Sequence, residues 1–379
     1  MAVKIPSEML AAVQEKFSEP YSVTKITTPS KPEGHDLLIR VLAASYCHTD
    51  AVFSSGEMQH NQTLPRVGCH EYSGEIVAFG PSAENLYGLT VGSKVGVPPL
   101  SYHPCTKCFE CTRDDGDGSR YSPHCPYAET LGLTVDGGFQ QYCLVDSRQI
   151  VPIPEGLTAV DTAPLMCAGF TIWGALQHER IKNASKIAIV GAGGGLGHLG
   201  IQFAAHLGKE VLAVDASDKS LELLQNVIKG LGSKGNQIKV GDARTTKPED
   251  LLVSIGEHSS DAAPGELGVD AAILLADSQA AMDLATALLK NHGTIVVVSF
   301  PERGFNMSAT ALVFRDIRIV GSWVAKHWQL REMMQFANQY NVKPVVKTFS
   351  LPEINALVDE YHRGTGGKLV IDMTLDSLA

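Results

Sequence analysis

The chain has 379 residues, of which 44% are hydrophobic and 36 are glycines, so it can bury a large core and its length favours two domains. A net charge of -10 and an isoelectric point near 5.7 argue against a nucleic-acid or anionic-membrane partner. Residues 1–8 are too polar for a signal peptide, and no apolar run is expected to approach the roughly 18 residues of a membrane span. These features predict a cytoplasmic protein with no nucleic-acid or membrane partner.

The first 156 residues are predicted to form a β-rich domain. Apolar or alternating runs bounded by proline and glycine predict strands at 22–26, 37–42, 75–79, 91–97 and 138–145. Cys47 follows the second of these runs, and His70 precedes the third. A neutral imidazole is a common zinc ligand, and a catalytic zinc site needs about three protein ligands and one open position. Cys47 and Cys167 could complete such a site with His70.

Four of the eight cysteines are clustered in the sequence C-x2-C-x2-C-x13-C, which comprises Cys105, Cys108, Cys111 and Cys125. In a chain with no predicted secretory signal, such cysteines are better interpreted as thiols or metal ligands than as disulfides. Four thiolates in one polar loop suit a closed tetrahedral zinc site that fixes the loop. Reduced surface thiols and an iron-sulfur cluster are the alternatives, and the first is disfavoured because clustered free thiols oxidise.

From Ser185 onward the pattern alternates between strands and helices. A strand at 186–190, a glycine turn and a helix ending at Gly208 are followed by a strand at 210–215. Further strands are predicted at 238–240, 271–275, 294–299 and 317–321, with a helix at 278–290. This alternation predicts a doubly wound parallel sheet of the α/β class, a Rossmann domain.

The glycine turn predicts dinucleotide binding. The strict G-x-G-x-x-G pattern fails because Leu196 stands where its last glycine would be, and G-x-x-G-x-x-G remains at Gly191, Gly194 and Gly197. Asp215 ends the next strand, where a carboxylate would bind the ribose hydroxyls of NAD and repel a 2′-phosphate. The predicted cofactor residues are Gly191, Gly194, Gly195, Leu196, Gly197, Asp215 and Lys219.

The last segments are predicted to return the chain to the first domain. Helices are predicted at 327–337 and 352–361, with strands at 345–349 and 368–373. Residues 1–156 and 325–379 are therefore predicted to form one domain that holds the zinc sites. Residues 157–324 are predicted to form the NAD-binding Rossmann domain.

Over essentially its whole length the chain resembles the zinc-dependent alcohol dehydrogenases of the medium-chain dehydrogenase/reductase superfamily, above all the yeast-type fungal enzymes. The resemblance rests on Cys47-His48-Thr49-Asp50, on His70-Glu71-x-x-Gly74 and on the third ligand loop, 163–169. It implies a GroES-like catalytic domain beside the Rossmann domain. It also implies that Cys47, His70 and Cys167 hold a catalytic zinc, and that the four clustered cysteines hold a structural one.

The same resemblance implies roles for neighbouring residues. Thr49 would lie on the proton path, and His48 and Lys368 would lie near the cofactor pyrophosphate. Asp50 and Glu71 would support the ligands, with His48, Thr49 and Glu71 as the catalytic candidates. The expected function is hydride transfer between a primary alcohol or aldehyde and NAD, with two zinc ions per chain and a homotetramer or homodimer as the assembly. An NADPH-dependent zinc carbonyl reductase, a zinc-free reductase and a non-catalytic zinc-stabilised binding protein are the alternatives.

Four departures from the family pattern affect these expectations. Cys69 replaces the glycine usually found before the histidine, and the 114–119 insertion enlarges the cysteine loop. Val52 stands where many relatives carry a proton-relay histidine. Met58 and Leu100 occupy the positions of two pocket-narrowing tryptophans. The substrate pocket is therefore predicted to be wide and apolar, favouring alcohols bulkier than ethanol.

Overall fold

The structure is a computed structural model that describes residues 5–29, 31–58, 63–99, 102–113, 121–257, 263, 265–364 and 366–375. Leu100 and the 114–119 insertion lie outside the described residues. The chain divides into two compact units. The first comprises Met1–Phe170, Lys326–Gly364 and Lys368–Ala379, and the second comprises Thr171–Ala325 and Thr365–Gly367.

The described strands, in chain order, are β1 (Glu8–Gln14), β2 (Ser22–Thr27), β3 (Asp36–Tyr46), β4 (Arg66–Val67), β5 (Tyr72–Phe79), β6 (Lys94–Val97), β7 (Tyr142–Asp146), β8 (Val151–Pro152), β9 (Lys186–Val190), β10 (Glu210–Asp215), β11 (Ile238–Asp242), β12 (Val269–Leu274), β13 (Leu289–Val297), β14 (Arg318–Gly321), β15 (Val346–Phe349) and β16 (Lys368–Asp372). The described α-helices are α1 (His48–Ser55), α2 (Phe109–Thr112), α3 (Ala159–Pro164), α4 (Phe170–Leu176), α5 (Gly197–His206), α6 (Asp218–Gly230), α7 (Pro248–Ser254), α8 (Gln279–Leu288), α9 (Ala309–Phe314), α10 (His327–Tyr340) and α11 (Ile354–His362). A π-helical turn (Leu165–Gly169) and two 3₁₀ turns (Gly232–Gln237 and Leu351–Glu353) complete the helical elements of these residues.

The first unit is built on a mixed sheet of seven strands. Its order is β15-β16-β3-β5-β6-β8, and β7 pairs with β3 off this path. A second sheet has the order β2-β1-β4. Strand β1 was not predicted, although most of its residues are buried, and Ala11, Ala12 and Val13 pack in the main hydrophobic core of this unit. Antiparallel pairing of β16 with β3 sets Leu369 opposite Tyr46, so the end of the chain reaches the strand that precedes Cys47.

The second unit contains a parallel sheet of six strands in the order β11-β10-β9-β12-β13-β14. The predicted doubly wound parallel sheet is therefore confirmed. Chain connections reverse direction between β9 and β12, and ligands of such sheets bind at the carboxyl ends of the strands beside this point. The glycine turn directly follows β9, so it lies at that position. Helices α6, α7 and α9 of this unit were not predicted.

One helical run is longer and more apolar than predicted. Residues Ala159–Leu176 form a continuous stretch of 18 helical residues with a mean hydropathy of 1.2, enough in length and composition to cross a membrane. The expectation that no apolar run would approach this length was therefore wrong. Because 72% of the stretch is buried inside the protein, it has the burial of a core helix.

Candidate metal centres and cofactor site

Three predicted ligands converge in the first unit. Cys47 lies at the start of α1, His70 lies in the turn before β5, and Cys167 lies in the π-helical turn. One donor atom from each lies within 4.8 Å of the other two. With zinc–sulfur distances of about 2.3 Å and zinc–nitrogen distances of about 2.0 Å, ligand atoms around one zinc have this spacing. The three residues therefore fit a zinc ion, with one tetrahedral position left open.

Asp50 holds two of these ligands in place. Its carboxylate accepts hydrogen bonds from the backbone N–H groups of Cys47, at 2.9 Å, and Cys69, at 3.1 Å. The same carboxylate lies 3.3 Å from Nδ1 of His70, and Asp50 is only 1% exposed. A carboxylate at Nδ1 orients the imidazole so that Nε2 is available to a metal.

Cys69 adopts a backbone conformation that favours glycine. Its φ is +79°, in the left-handed region that glycine enters without strain. The thiol is fully buried and lies 3.4 Å from the carbonyl oxygen of Ser45 and 3.3 Å from that of Glu71. Burial raises the pKa of Cys69. It is therefore a buried neutral thiol, and among the described residues it is not part of the donor cluster.

Cys167 is presented by a π-helical turn, where a loop was predicted. Pro164 lacks a backbone N–H and ends α3, and the wider π turn follows directly. Gly96 of β6 makes room for this turn, because a Cβ there would lie 2.4 Å from Sδ of the buried Met166. No sequence signal marks Gly96, since its importance depends on the approach of a segment far along the chain.

Glu71 and Lys368 form a buried ion pair beside the three ligands. Their side chains are 0% and 4% exposed, and the Lys368 ammonium donates to Glu71 Oε1 and, at 3.0 Å, to the carbonyl oxygen of Tyr46. The other Glu71 oxygen accepts from the backbone N–H of Ala168 at 3.3 Å. The pair therefore connects the segments that precede Cys47, follow His70 and follow Cys167.

Burial and neighbouring charges shift the pKa values of Glu71 and Cys47. Desolvation raises the pKa of Glu71 to about 7, even though the Lys368 ammonium opposes the shift. The Cys47 thiol has its pKa lowered by a hydrogen bond with Cys167, which outweighs burial, and by the positive charge of Lys368. The same hydrogen bond raises the pKa of Cys167, so of these two thiols Cys47 is the one that more readily becomes the thiolate that binds zinc.

The four clustered cysteines also converge. One sulfur atom from each of Cys105, Cys108, Cys111 and Cys125 lies within 4.8 Å of the others. Backbone N–H groups of Cys108 and Cys111 point at the sulfurs three residues before them, at 3.3 and 3.4 Å. Backbone hydrogen bonds lower the pKa of Cys105 to about 6. A set of four sulfurs leaves no open position, so this is a structural zinc site.

The glycine turn in the second unit follows the end of β9, and its glycines have backbone conformations or close contacts that a larger residue would disturb. Gly191 has φ of +90°, and a Cβ on Gly197, the first residue of α5, would lie 2.4 Å from the carbonyl oxygen of Ala192. The Asp215 carboxylate accepts a hydrogen bond from the backbone N–H of Gly193 at 2.8 Å. A Cβ on Gly193 would lie 2.4 Å from Cβ of Ser220, so this glycine allows α6 to pack closely.

The remaining predicted residues occupy the first turns of helices. His48 begins α1, and its Nδ1 lies 2.7 Å from the hydroxyl of Tyr361, a contact that the sequence analysis missed. Thr49 follows, with Oγ1 3.9 Å from Sγ of Cys47. Lys219 is exposed in the first turn of α6, close in sequence to Asp215.

The fold and its metal sites define a zinc-binding dehydrogenase with a Rossmann domain. Residues 33–155 match the family described as alcohol dehydrogenase GroES-like domain, and residues 195–339 match the family described as zinc-binding dehydrogenase. The chain is 31% identical to an alcohol dehydrogenase of Geobacillus stearothermophilus over 96% of its length and 99% of that protein. It is 32% identical to alcohol dehydrogenase 1 of Neurospora crassa over 97% of its length and 98% of that protein.

Solved structures show the same architecture. The alcohol dehydrogenase of the archaeon Aeropyrum pernix superposes with a TM-score of 0.80 at 25% identity, over 96% of this chain and 99% of that one. Acetophenone reductase of Geotrichum candidum superposes with a TM-score of 0.77 at 24% identity, over 98% of each chain, which supports the fold. The chain belongs to the zinc-dependent alcohol dehydrogenases of the medium-chain dehydrogenase/reductase superfamily. It is therefore an enzyme, and the reading as a non-catalytic binding protein is excluded.

Proposed function

We propose that this enzyme transfers hydride between NAD and primary alcohols or aldehydes bulkier than ethanol. The observation that carries the proposal is the cluster of Cys47, His70 and Cys167 with Thr49 beside it. Zinc in this cluster would supply Lewis-acid polarisation of the substrate oxygen. Thr49 Oγ1 would take the hydroxyl proton, while Asp50 keeps His70 oriented. With Val52 one helical turn from Thr49 on α1, the proton would leave by way of water.

The cofactor is proposed to be NAD, bound at the carboxyl end of β9. The backbone N–H of Gly193 and those of Ala216 and Ser217 fix the Asp215 carboxylate, which would accept hydrogen bonds from the adenosine ribose. Gly191, Gly194, Gly195 and Leu196 lie in the turn before α5, and together with Gly197, the first residue of α5, they would cradle the pyrophosphate. Lys219 would contact the same end of the cofactor.

His48 and Lys368 are also proposed to contribute to binding of the pyrophosphate. Two donors of the Lys368 ammonium are engaged by Glu71 and by the carbonyl of Tyr46, and the side chain is 4% exposed, so its positive charge would attract the phosphate without a direct contact. Glu71 would act by keeping this lysine and the ligand segments in position.

We expect kcat/KM with NAD to exceed that with NADP by more than tenfold, because a 2′-phosphate beside Asp215 suffers charge repulsion and desolvation. In Asp215→Ser the ratio of kcat/KM with NAD to that with NADP should fall. NAD should also bind more weakly to this variant, which calorimetry measures directly. Glu222→Gln, an exposed change on α6, is the matched control. Equal efficiency with both cofactors in the wild type would contradict the proposal and favour the NADPH-dependent reductase.

We expect hexanol and benzyl alcohol to be preferred over ethanol by kcat/KM. Four extra methylenes of about 0.8 kcal/mol each could contribute up to about 3 kcal/mol to transition-state binding if the pocket buries them all. Met58→Trp and Leu100→Trp should each shift the preference back towards short chains. If the purified enzyme turns over ethanol as efficiently as hexanol, the wide-pocket proposal is wrong.

Self-association into a homodimer or homotetramer is also proposed. Strand β14 is at the edge of the parallel sheet, and Ile319 on it is 39% exposed. Just before it, Val313 and Phe314 are 71% and 79% exposed. Exposed apolar side chains at a sheet edge favour pairing with another chain. We expect sedimentation to show an oligomer that Phe314→Glu weakens; a wild-type monomer would contradict this.

A cytoplasmic location is proposed on the state of the cysteines. All eight are free of disulfide bonds, and six of them belong to the two metal-ligand sets. The other two, Cys69 and Cys143, are buried, and Cys69 directly precedes the ligand His70. Reduced thiols of this kind are typical of proteins kept in a reducing compartment.

A further inference from the structure

A pocket in the first unit lies apart in sequence from both metal centres. It is lined by Leu86, Tyr87, Val151, Pro152, Ile153, Pro154, Arg331, Met334 and Gln335. Its volume of about 440 Å³ is within the range of small-molecule sites, about 300–1,000 Å³. Six of the nine lining residues are apolar, namely Leu86, Val151 and Pro152 of β8, Ile153, Pro154 and the buried Met334 of α10, although polar atoms contribute more than half of the exposed lining. None of the lining residues has a role in the proposed reaction.

The polar groups of the pocket are a cation and two neutral side chains. The Arg331 guanidinium lies over the ring of Tyr87, 5.5 Å from its centroid. Within the described part of the chain, Arg331 makes no ion pair, although acidic residues outnumber basic ones by 41 to 31. Stacking leaves the N–H groups at the guanidinium edge available to a ligand. Tyr87 has its pKa raised by burial, so its hydroxyl remains a neutral donor.

We propose that this pocket binds a small carboxylate with an apolar tail. The Arg331 guanidinium would pair with the carboxylate through two N–H donors, and the Gln335 amide would donate to the same group. The tail would lie on Leu86, Ile153 and Met334. A neutral alcohol or amide of the same length lacks the charge that Arg331 requires, so it would bind more weakly. The site is independent of the proposed substrate and cofactor.

Hexanoate is the probe, with hexanol and hexanamide as neutral comparisons. The zinc-loaded full-length enzyme carries ¹³C-methyl methionine, and the Met334 signal is assigned with Met334→Leu. Hexanoate should shift the Met334 methyl signal in a saturable manner, and hexanamide should not. Arg331→Met should weaken hexanoate binding at least about tenfold, the loss expected when a bidentate charge pair is removed. Leu86→Ser should weaken the binding of hexanoate but not that of acetate, which has no long apolar tail.

Arg180→Met, at an exposed arginine of the second unit, is the matched control and should leave hexanoate binding unchanged. Both arginine variants should keep the wild-type unfolding temperature and ethanol or hexanol turnover. Hexanoate that binds only at the catalytic zinc would leave the Met334 signal unmoved and would be insensitive to Arg331→Met. That outcome, or the absence of saturable hexanoate binding, overturns the proposal.

Discussion

Cys167→Ala should abolish turnover while leaving the protein folded. The change removes one of three donors from the catalytic cluster, so the bound zinc should fall from two ions per chain to one. Because the π-helical turn is held by buried neighbours such as Leu165 and Met166, the unfolding temperature should change little. Metal analysis, circular dichroism and alcohol oxidation measured on one preparation test the prediction.

Two other cysteines provide the comparison. Cys108→Ala should also lower the zinc content to one, but its main effect should be a lower unfolding temperature or solubility, because a structural zinc contributes directly to folding. Cys143→Ala removes a buried thiol outside both clusters and should keep two zinc ions and activity. Normal turnover in Cys167→Ala would refute the assignment of the catalytic site.

Lys368→Met should be the most destabilising single change at this site. It leaves the fully buried Glu71 carboxylate without its cation, and breaking a buried ion pair in this way costs about 3–5 kcal/mol. The segments around Cys47, His70 and Cys167 also lose their common connection, so zinc affinity should fall. Chemical unfolding of the zinc-loaded enzyme measures the first effect, and titration with a chelator measures the second.

A double variant separates charge from packing. Glu71→Gln with Lys368→Met removes the uncompensated carboxylate and should recover a large part of the lost free energy of unfolding. Lys347→Met is the matched control, since its ion pair with Glu360 is 57% exposed on the lysine side and should be worth less than about 1 kcal/mol. If the double variant is as unstable as Lys368→Met, the loss comes from packing and not from the buried charge.

Local sequence patterns determined the four-cysteine metal centre and the parallel sheet, and the catalytic ligands were predicted from the family resemblance. Cysteine spacing is a local property, and the four sulfurs of the loop can meet because they lie close along the chain. Strands β9 and β10 were predicted with the bounds that the structure has, because buried parallel strands are continuous apolar runs ended by glycine or acid. Helix α6 was not predicted, although Leu221, Leu224 and Ile228 repeat at helical spacing on one face.

Only the tertiary structure decided how the ligands are held. The contacts that position them join residues far apart in sequence, as when Lys368 meets Glu71 across 297 positions and Gly96 accommodates Met166. Such contacts depend on sheet pairing, here of β16 with β3, and pairing leaves no local signature in the residues that it brings together. For the same reason the left-handed backbone of Cys69 and the hydrogen bond between His48 and Tyr361 became visible only in the folded chain.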